Sequence, residues 1–451
     1  MIKFHSTNYN TPDVDFKTAV LQGQALDKGL YMLNKIPKFP TQDIFNFKNL
    51  SLQEIALQIL QKILNQQIPK DDLKEIVKKA LNFDIEIDNI ESNDYLCYLS
   101  KGPTCSFKDF GARVLARIME YFLSLEDKEI IILTATSGDT GGAVAQAMHK
   151  MSRIKVIVLY PKNEISDLQR KQMTTLGKNV IAIGINGKFD DCQKIIKTAF
   201  ADEDLRELNL SSANSINLGR LLPQIIYYFW SYSRIVKNQD EKVIFSVPSG
   251  NFGNLTGGII AYKMGLPVEI FISAVNENDE FPKFLNSGIY EPINPSKNCL
   301  SSAMNVGNPS NLARIFDLFE GQIDEKGYIH KLPNMKELRS IIDSYSINNG
   351  LTKETIVEFY NKFDKIIEPH GAVGWAALQK YRTKNPYQDN LKSITYETAD
   401  PAKFPEEIIS LIKLKPKLPK TLEIIQNKNE YPNPVEINKY EDFKLFIQTT
   451  M

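Results

Sequence analysis

A lysine used in covalent chemistry must be held by its backbone while its amine stays free. The stretch Lys101-Gly102-Pro103-Thr104-Cys105-Ser106-Phe107-Lys108-Asp109-Phe110-Gly111 meets that need. Turn-forming residues precede Lys108, and an apolar, helix-competent run over 112–123 follows it. The spacing predicts a loop-to-helix junction with the Lys108 amine projecting into a cleft. The usual covalent use of such an amine is Schiff-base formation with a carbonyl compound or with pyridoxal phosphate. A lysine taken alone is more often a solvated charge, so the case depends on what else the chain brings to it.

Four other segments bring candidate partners. In Pro248-Ser249-Gly250-Asn251-Phe252-Gly253-Asn254-Leu255-Thr256-Gly257-Gly258, Gly250 and Gly253 permit close backbone approach and positive φ, which aims successive N–H groups at an anion. The segment follows the apolar run 243–247 and opens a helix, whose N-terminus adds further donors. It lacks a P-loop lysine, so it suits a cofactor's phosphate better than a nucleoside triphosphate. Thr134-Ala135-Thr136-Ser137-Gly138-Asp139-Thr140-Gly141-Gly142 holds the equivalent place after 130–133 and offers hydroxyls and a helix start to a carboxylate or a second phosphate, though a solvated Ser/Thr turn would look the same. In Ser212-Ala213-Asn214-Ser215-Ile216-Asn217-Leu218-Gly219-Arg220, the neutral donors Asn214, Ser215 and Asn217 precede Arg220, a planar fork for phosphate or carboxylate that would equally serve as a helix cap. Thr398, at the end of an apolar-flanked run, offers a hydroxyl to a ring nitrogen or an N-cap to the helix that Pro401 starts.

Strands and helices must position these loops. Residues 1–95 carry no Gly-rich loop; Leu52, Ile55, Ala56, Ile59, Leu60 and Ile63, then Leu73, Ile76, Val77 and Ala80, recur at helical spacing, which predicts an N-terminal helical or mixed packing domain. From Lys128, apolar strands at 130–133, 154–159 and 180–183 alternate with helices over 143–151, 167–176 and 190–200. A second series starts at 243–247 and resumes at 268–272. Such alternation implies parallel βαβ units. The fold class is therefore α/β, with two doubly wound sheet lobes and a crevice beyond the carboxyl ends of their strands. The expected division is an N-terminal domain (1–95) and a catalytic core (96–451), with a smaller lobe inserted at about 128–235 and the phosphate-cradling lobe at about 240–412. Residues 413–434, rich in Pro, Lys and Asn, read as a surface tail.

Composition narrows the class. At 451 residues, 43% hydrophobic and 24% charged, the chain is that of a multi-lobed globular protein. Lys plus Arg and Asp plus Glu each total 54, so no net field draws it to nucleic acid or an anionic membrane. Its longest apolar cluster, 225–230, falls far short of the roughly 20 residues of a membrane span. The first residues lack a secretory-signal pattern, so a cytoplasmic location is expected. Cys97, Cys105, Cys192 and Cys299 form no close pair, and His5, His149, His330 and His370 show no metal-ligand spacing.

Taken together and in order, Gly102-Pro103-Thr104 with Phe107-Lys108-Asp109-Phe110-Gly111, the 134–141 loop, Asn214-Ser215-Ile216-Asn217 with Arg220-Leu221-Leu222-Pro223-Gln224, the 248–254 loop, and Thr398-Ala399 with Pro401-Ala402-Lys403-Phe404 closely resemble the threonine synthase family. Ala19-Val20-Leu21-Gln22-Gly23 with Gly29-Leu30-Tyr31 is similar to the amino-terminal domain of its longer branch. Asn305-Val306-Gly307-Asn308-Pro309-Ser310-Asn311 and Pro369-His370-Gly371-Ala372 fit it too, so the match spans nearly the whole chain.

The resemblance implies the tryptophan-synthase-β fold type, pyridoxal 5'-phosphate as cofactor, and conversion of O-phospho-L-homoserine and water to L-threonine and phosphate. By that resemblance Lys108 would hold the cofactor as a Schiff base and act as the proton-moving base. Gly250, Asn251, Phe252, Gly253 and Asn254 would cradle its phosphate. Thr398 would meet the pyridine nitrogen and, as a hydroxyl, leave it largely unprotonated. Ser137, Thr140, Asn214, Ser215 and Arg220 would receive the carboxylate and phosphate of the substrate. Asp139 stands where relatives of this fold place an asparagine against the cofactor's phenolic oxygen, a role a carboxylate fills only if it shares a proton or faces elsewhere. Lys101 and Asp400 stand where the family has histidines. The chain is expected to act on a small molecule as a monomer or homodimer.

Rival readings make separate demands. A threonine dehydratase of the same fold type would keep Lys108 and the cradle without needing Asn214, Ser215 and Arg220 together. A related lyase that stops at phosphate elimination would release a ketoacid. A catalytically idle binding protein would not need Lys108.

Overall fold

The computed structural model describes residues 1–64, 66–136 and 138–450. Ile130–Ala135 and Ile154–Pro161 are buried along almost their whole length, which is why they are apolar nearly throughout, Lys155 being the charged exception. They lie at the centre of a four-stranded parallel sheet, flanked by Val180–Ile185 and Leu210–Ser212. The larger sheet runs Ile342–Ser346, Val268–Val275, Val243–Pro248, Lys392–Glu397, Asp94–Tyr98, Glu86–Glu91. It is parallel throughout except for Glu86–Glu91, which pairs antiparallel at the edge. The α/β class with two parallel-sheet lobes is thus observed.

Each sheet contributes a strand–loop–helix unit: Ile130–Ala135 leads into Asp139–Met148, and Val243–Pro248 into Gly253–Lys263. The first of these helices starts four residues earlier than its apolar repeat, because Gly141 and Gly142 belong to it without adding to that repeat. Gly141 is there for close approach: a Cβ would lie 2.4 Å from Thr136 Cγ2 and 2.6 Å from Met173 Sδ.

In the N-terminal part, Leu52–Leu64 and Lys70–Ala80 bury the stripes their spacing predicted. The helix Gln224–Ile235 lies within the expected smaller lobe but packs with the larger sheet: Tyr228 sets its ring edge-on to Phe245, Phe271 and Tyr396. The stretch 413–434 is no loose tail. It holds the helix Lys420–Gln426, whose Leu422 is fully buried against Cys105 and Ala402. Arg170 grips Glu430 through two hydrogen bonds of 2.9 Å each, and Tyr431 N–H donates to the Thr174 carbonyl at 2.8 Å. Polar composition concealed this because the partners are a guanidinium and backbone. All four cysteines are buried and unpaired. Burial pushes the Cys105 thiol up to about 11, away from thiolate chemistry. No described helix is long and apolar enough to cross a membrane.

Candidate active site

Lys108 and Thr398 are far apart in sequence and are stitched together by backbone. Ser106 and Ala399 form an isolated antiparallel bridge, Phe107 N–H donates to the Thr398 carbonyl at 2.9 Å, and Asp400 N–H to the Cys105 carbonyl at 3.0 Å. The turn before the lysine is set by Asp109, which accepts from Thr104 N–H and Oγ1 at 2.8 Å each. Gly102 leaves room for that carboxylate, since a Cβ would fall 2.4 Å from Asp109 Oδ2. Burial lifts the Asp109 carboxyl to about 6 despite the Thr104 bonds.

Lys108 opens the helix Lys108–Glu126, and its side chain is 15% exposed. Its Nζ lies 3.9 Å from Asp139 Oδ2. Burial lowers the amine's pKa; Asp139 opposes this, while the charges of Lys403 and Arg220 reinforce it. Asp139 itself faces Lys403, with Oδ1 2.5 Å from Nζ, and accepts from Gln169 Nε2 at 3.0 Å. Burial alone would raise this carboxyl, yet Lys403, then Lys108 and Gln169, hold it well below the usual carboxylate range. It is therefore an ionised group bound to Lys403, not one sharing a proton. Lys403 is fully buried and also donates to the Thr104 carbonyl at 3.0 Å.

Arg220 is buried, and its Nη1 donates to the Ala213 carbonyl at 2.6 Å. Its Nε has no partner among the described residues, nor has Asn214 Oδ1. Burial brings the guanidinium down to about 10. Gly111 allows Arg220 to lie this close, because a Cβ there would be 2.6 Å from its carbonyl oxygen and 2.9 Å from Nε. Ser215 Oγ accepts from Asn251 Nδ2 at 2.5 Å, and Asn251 Oδ1 accepts from Ser310 N–H at 2.5 Å, joining the Arg220 segment to the glycine loop. Asn217 is occupied otherwise: its Nδ2 donates to the Val20 and Ser212 carbonyls and its Oδ1 accepts from Gly219 N–H, all at 2.9 Å.

In the glycine loop Phe252 takes a φ of +57°, and among the described residues the N–H groups of Gly250, Asn251 and Phe252 have no acceptor. Gly253 and Asn254 begin the helix, where N–H groups are free by geometry. Asn254 shapes the loop through its side chain, donating to the Pro248 carbonyl at 2.6 Å. Thr140 is half-buried in the first turn of Asp139–Met148; Ser137 lies outside the described residues. Lys101 pairs with Glu86 at 2.6 Å, and Asp400 caps a short turn by accepting from Ala402 N–H at 2.9 Å.

Three positioning groups carried no assigned role in the sequence: Lys403, Glu368 and Arg314. Glu368 is fully buried and accepts from Thr398 Oγ1 at 3.3 Å. Arg314 is fully buried and donates to the carbonyls of Tyr31, Ser215 and Ile216 and to Asn311 Oδ1. Their one sequence signal is a charge set among apolar neighbours, as Lys403 is between Ala402 and Phe404.

A two-lobed parallel α/β fold with a buried lysine at one helix start and a glycine loop with acceptor-free N–H groups at another suits a pyridoxal-phosphate-dependent enzyme. Residues 95–394 match the family model described as pyridoxal-phosphate dependent enzyme. Before it, residues 3–81 match that for the threonine synthase N terminus, and 371–447, overlapping its end, match that for the threonine synthase C-terminal part. The chain is 38% identical to the threonine synthase of Buchnera aphidicola from Schizaphis graminum over 98% of its length and 100% of that protein. It is 37% identical to that of Escherichia coli, covering 93% and 94% of the two. Its structure superposes on the crystal structure of the Escherichia coli threonine synthase with a TM-score of 0.88 at 34% identity, covering 100% of both chains. On the PLP-bound threonine synthase of Brucella melitensis the score is 0.92 at 30% identity, covering 100% and 99%. The chain belongs to the threonine synthase family, and it is a lyase that uses pyridoxal phosphate.

Proposed function

We propose that this chain converts O-phospho-L-homoserine and water to L-threonine and phosphate in the cytoplasm, as a monomer or homodimer, with the 1–95 domain, the inserted 128–235 lobe and the 240–412 lobe as its working parts. The observation that carries this reading is Arg220, a buried guanidinium near Lys108 with no ion pair among the described residues and an unpartnered Nε. A buried cation in that state suits a phosphate dianion.

The residues present also fit the cofactor. The Lys108 amine, its pKa lowered by burial, suits an aldehyde. The acceptor-free N–H groups of Gly250, Asn251 and Phe252, with those of Gly253 and Asn254 at the helix start, suit its phosphate. When bound, pyridoxal phosphate supplies an electron sink for proton removal from carbon. Lys108, its pKa lowered by its desolvated surroundings, would take the Cα proton and later return it. Thr140, Asn214 and Ser215, with Ser137, orient the carboxylate and phosphate of the substrate. Arg220 stabilises the charge that grows on the departing phosphate, an interaction stronger in the transition state than before it. Asp139, kept ionised by Lys403, fixes the approach of Lys108.

Incubation of the purified holoenzyme with O-phosphohomoserine tests the proposal: threonine and phosphate in equal amounts support it. Formation of 2-oxobutyrate would instead indicate a lyase that stops at elimination, and no turnover would indicate an idle binding protein.

A further inference from the structure

Ser215 and Ile216 form the middle of a tight turn, which Asn217 N–H closes by donating to the Asn214 carbonyl at 3.0 Å. The N–H groups of Ser215 and Ile216 have no acceptor among the described residues. Their carbonyls are held by one side chain. Arg314 Nη1 donates to the Ser215 carbonyl at 3.1 Å and Nη2 to the Ile216 carbonyl at 2.6 Å, while Nε reaches the Tyr31 carbonyl at 3.1 Å. A peptide is planar and trans, so its N–H points opposite to its C=O. With the Ser215 carbonyl turned to Arg314, the Ile216 N–H of the same peptide is turned away from it. The turn is also fixed from the glycine loop, where Ser215 Oγ accepts from Asn251 Nδ2 at 2.5 Å. Arg314 is fully buried with no ion pair among the described residues; burial brings its guanidinium down to about 9, and the charge of Asp317 opposes this. A buried cation left unpaired is a poor device for stability. What it supplies is a planar fork that grips several carbonyls at once.

We propose that Arg314 is a positioning residue for the substrate's phosphate: by holding the carbonyls of Ser215 and Ile216 it turns the N–H groups of this turn, that of Ile216 above all, towards the phosphate beside Arg220. This rests on the reading that the chain acts on O-phospho-L-homoserine with Arg220 at its phosphate. Arg220 grips the same segment one step earlier, at the Ala213 carbonyl, so the two guanidinium groups bracket the turn. The N–H groups of Ser215 and Ile216 and the unpartnered Nε of Arg220 then make three donors for one anion, a set that a phosphate dianion can satisfy in full. Ile216 contributes through its backbone, which is why its apolar side chain gives no sign of the role. Through its bond to Tyr31, Arg314 also ties the N-terminal part of the chain to the site.

The test uses holoenzyme labelled with serine carrying carbon-13 at its carbonyl and isoleucine carrying nitrogen-15. Only amides that join a serine to an isoleucine then show both labels: those of Ile216, Ile341, Ile347 and Ile394. The last three are controls, since Ile341 lies in the helix Met335–Ile341, Ile394 in the strand Lys392–Glu397, and Ile347 N–H donates to the Val275 carbonyl at 2.9 Å. Inorganic phosphate is expected to shift the Ile216 amide proton downfield and to leave the other three in place. In Arg314→Lys, which keeps the charge but loses the fork, phosphate should bind roughly tenfold more weakly. L-threonine, which has no phosphate, should bind that variant as it binds the wild type, as followed by the absorbance of the bound cofactor. Phosphate that raises the Tm of the wild type yet leaves Ile216 unmoved overturns the inference alone, and does so without any variant. An Arg314→Lys protein that binds phosphate as the wild type does, or that loses phosphate and threonine alike, overturns the role of Arg314. Phosphate that neither raises the Tm nor moves Ile216 overturns the phosphate reading of Arg220 as well.

Discussion

Lys403 and Lys108 hold opposite oxygens of one buried carboxylate: Asp139 Oδ1 lies 2.5 Å from Lys403 Nζ, and Oδ2 lies 3.9 Å from Lys108 Nζ. The closer lysine neutralises Asp139, and the farther one is thereby left free to lose its proton. If Asp139 had only Lys108 to pair with, the catalytic amine would be held as an ammonium.

Lys403→Met should therefore raise the pKa of Lys108, because Asp139 would have that amine as its exclusive cationic partner. Because only the neutral amine attacks an aldehyde, the half-point of cofactor capture by the apoprotein moves to higher pH. The Schiff-base absorbance, followed across pH, measures this; an unmoved half-point would show that Lys403 does not govern the amine.

Arg220→Met should separate activity from stability. Burying a guanidinium without an ion pair costs free energy, so the variant is expected to melt no lower than the wild type. It should turn over about 10²–10³-fold more slowly, the usual loss when a transition-state charge loses its donor. Inorganic phosphate should raise the Tm of the wild type, by ligand linkage, and leave the variant unmoved.

Gly111→Ala places a methyl 2.6 Å from the Arg220 carbonyl oxygen and 2.9 Å from its Nε. The cost of such overpacking is about 1–3 kcal/mol. Denaturant unfolding should register that loss, with a raised KM for the phosphorylated substrate as the guanidinium is displaced.

Glu280 gives a pH signature away from the site. It is 2% exposed, its Oε2 has no partner among the described residues, and burial lifts its carboxyl from 4.5 to about 7. The folded state therefore binds this proton more tightly than the unfolded one, so stability falls as pH rises from 4.5 towards 7 and is level above. Glu280→Gln removes that dependence. Its stability advantage should grow over this window to at most roughly 3 kcal/mol, from a difference of about 2.5 pKa units. Melting temperatures at pH values across the window check it, and an advantage independent of pH would point to packing instead.

Local features were legible in the sequence. Buried parallel strands such as Ile130–Ala135 must be apolar on both faces, and the glycine loop after Val243–Pro248 needs its residue types wherever it sits. What escaped depends on contacts between distant segments. The ionised state of Asp139 is set by Lys403, the turn at Ser215 and Ile216 by Arg314, and the path of 413–434 by Arg170 and Leu422. None of these partners is signalled by spacing, because each pair is joined by the folding of separate elements. Lys101 likewise meets Glu86, a residue of the edge strand, and no local pattern announces that pairing.

Turnover of O-phosphohomoserine in ¹⁸O-labelled water tests the central claim most directly. If Arg220 holds phosphate as a leaving group while water adds to carbon, the label appears in the threonine hydroxyl and the released phosphate stays unlabelled. Labelled phosphate accompanied by homoserine would mean that water attacks phosphorus, and would contradict the account.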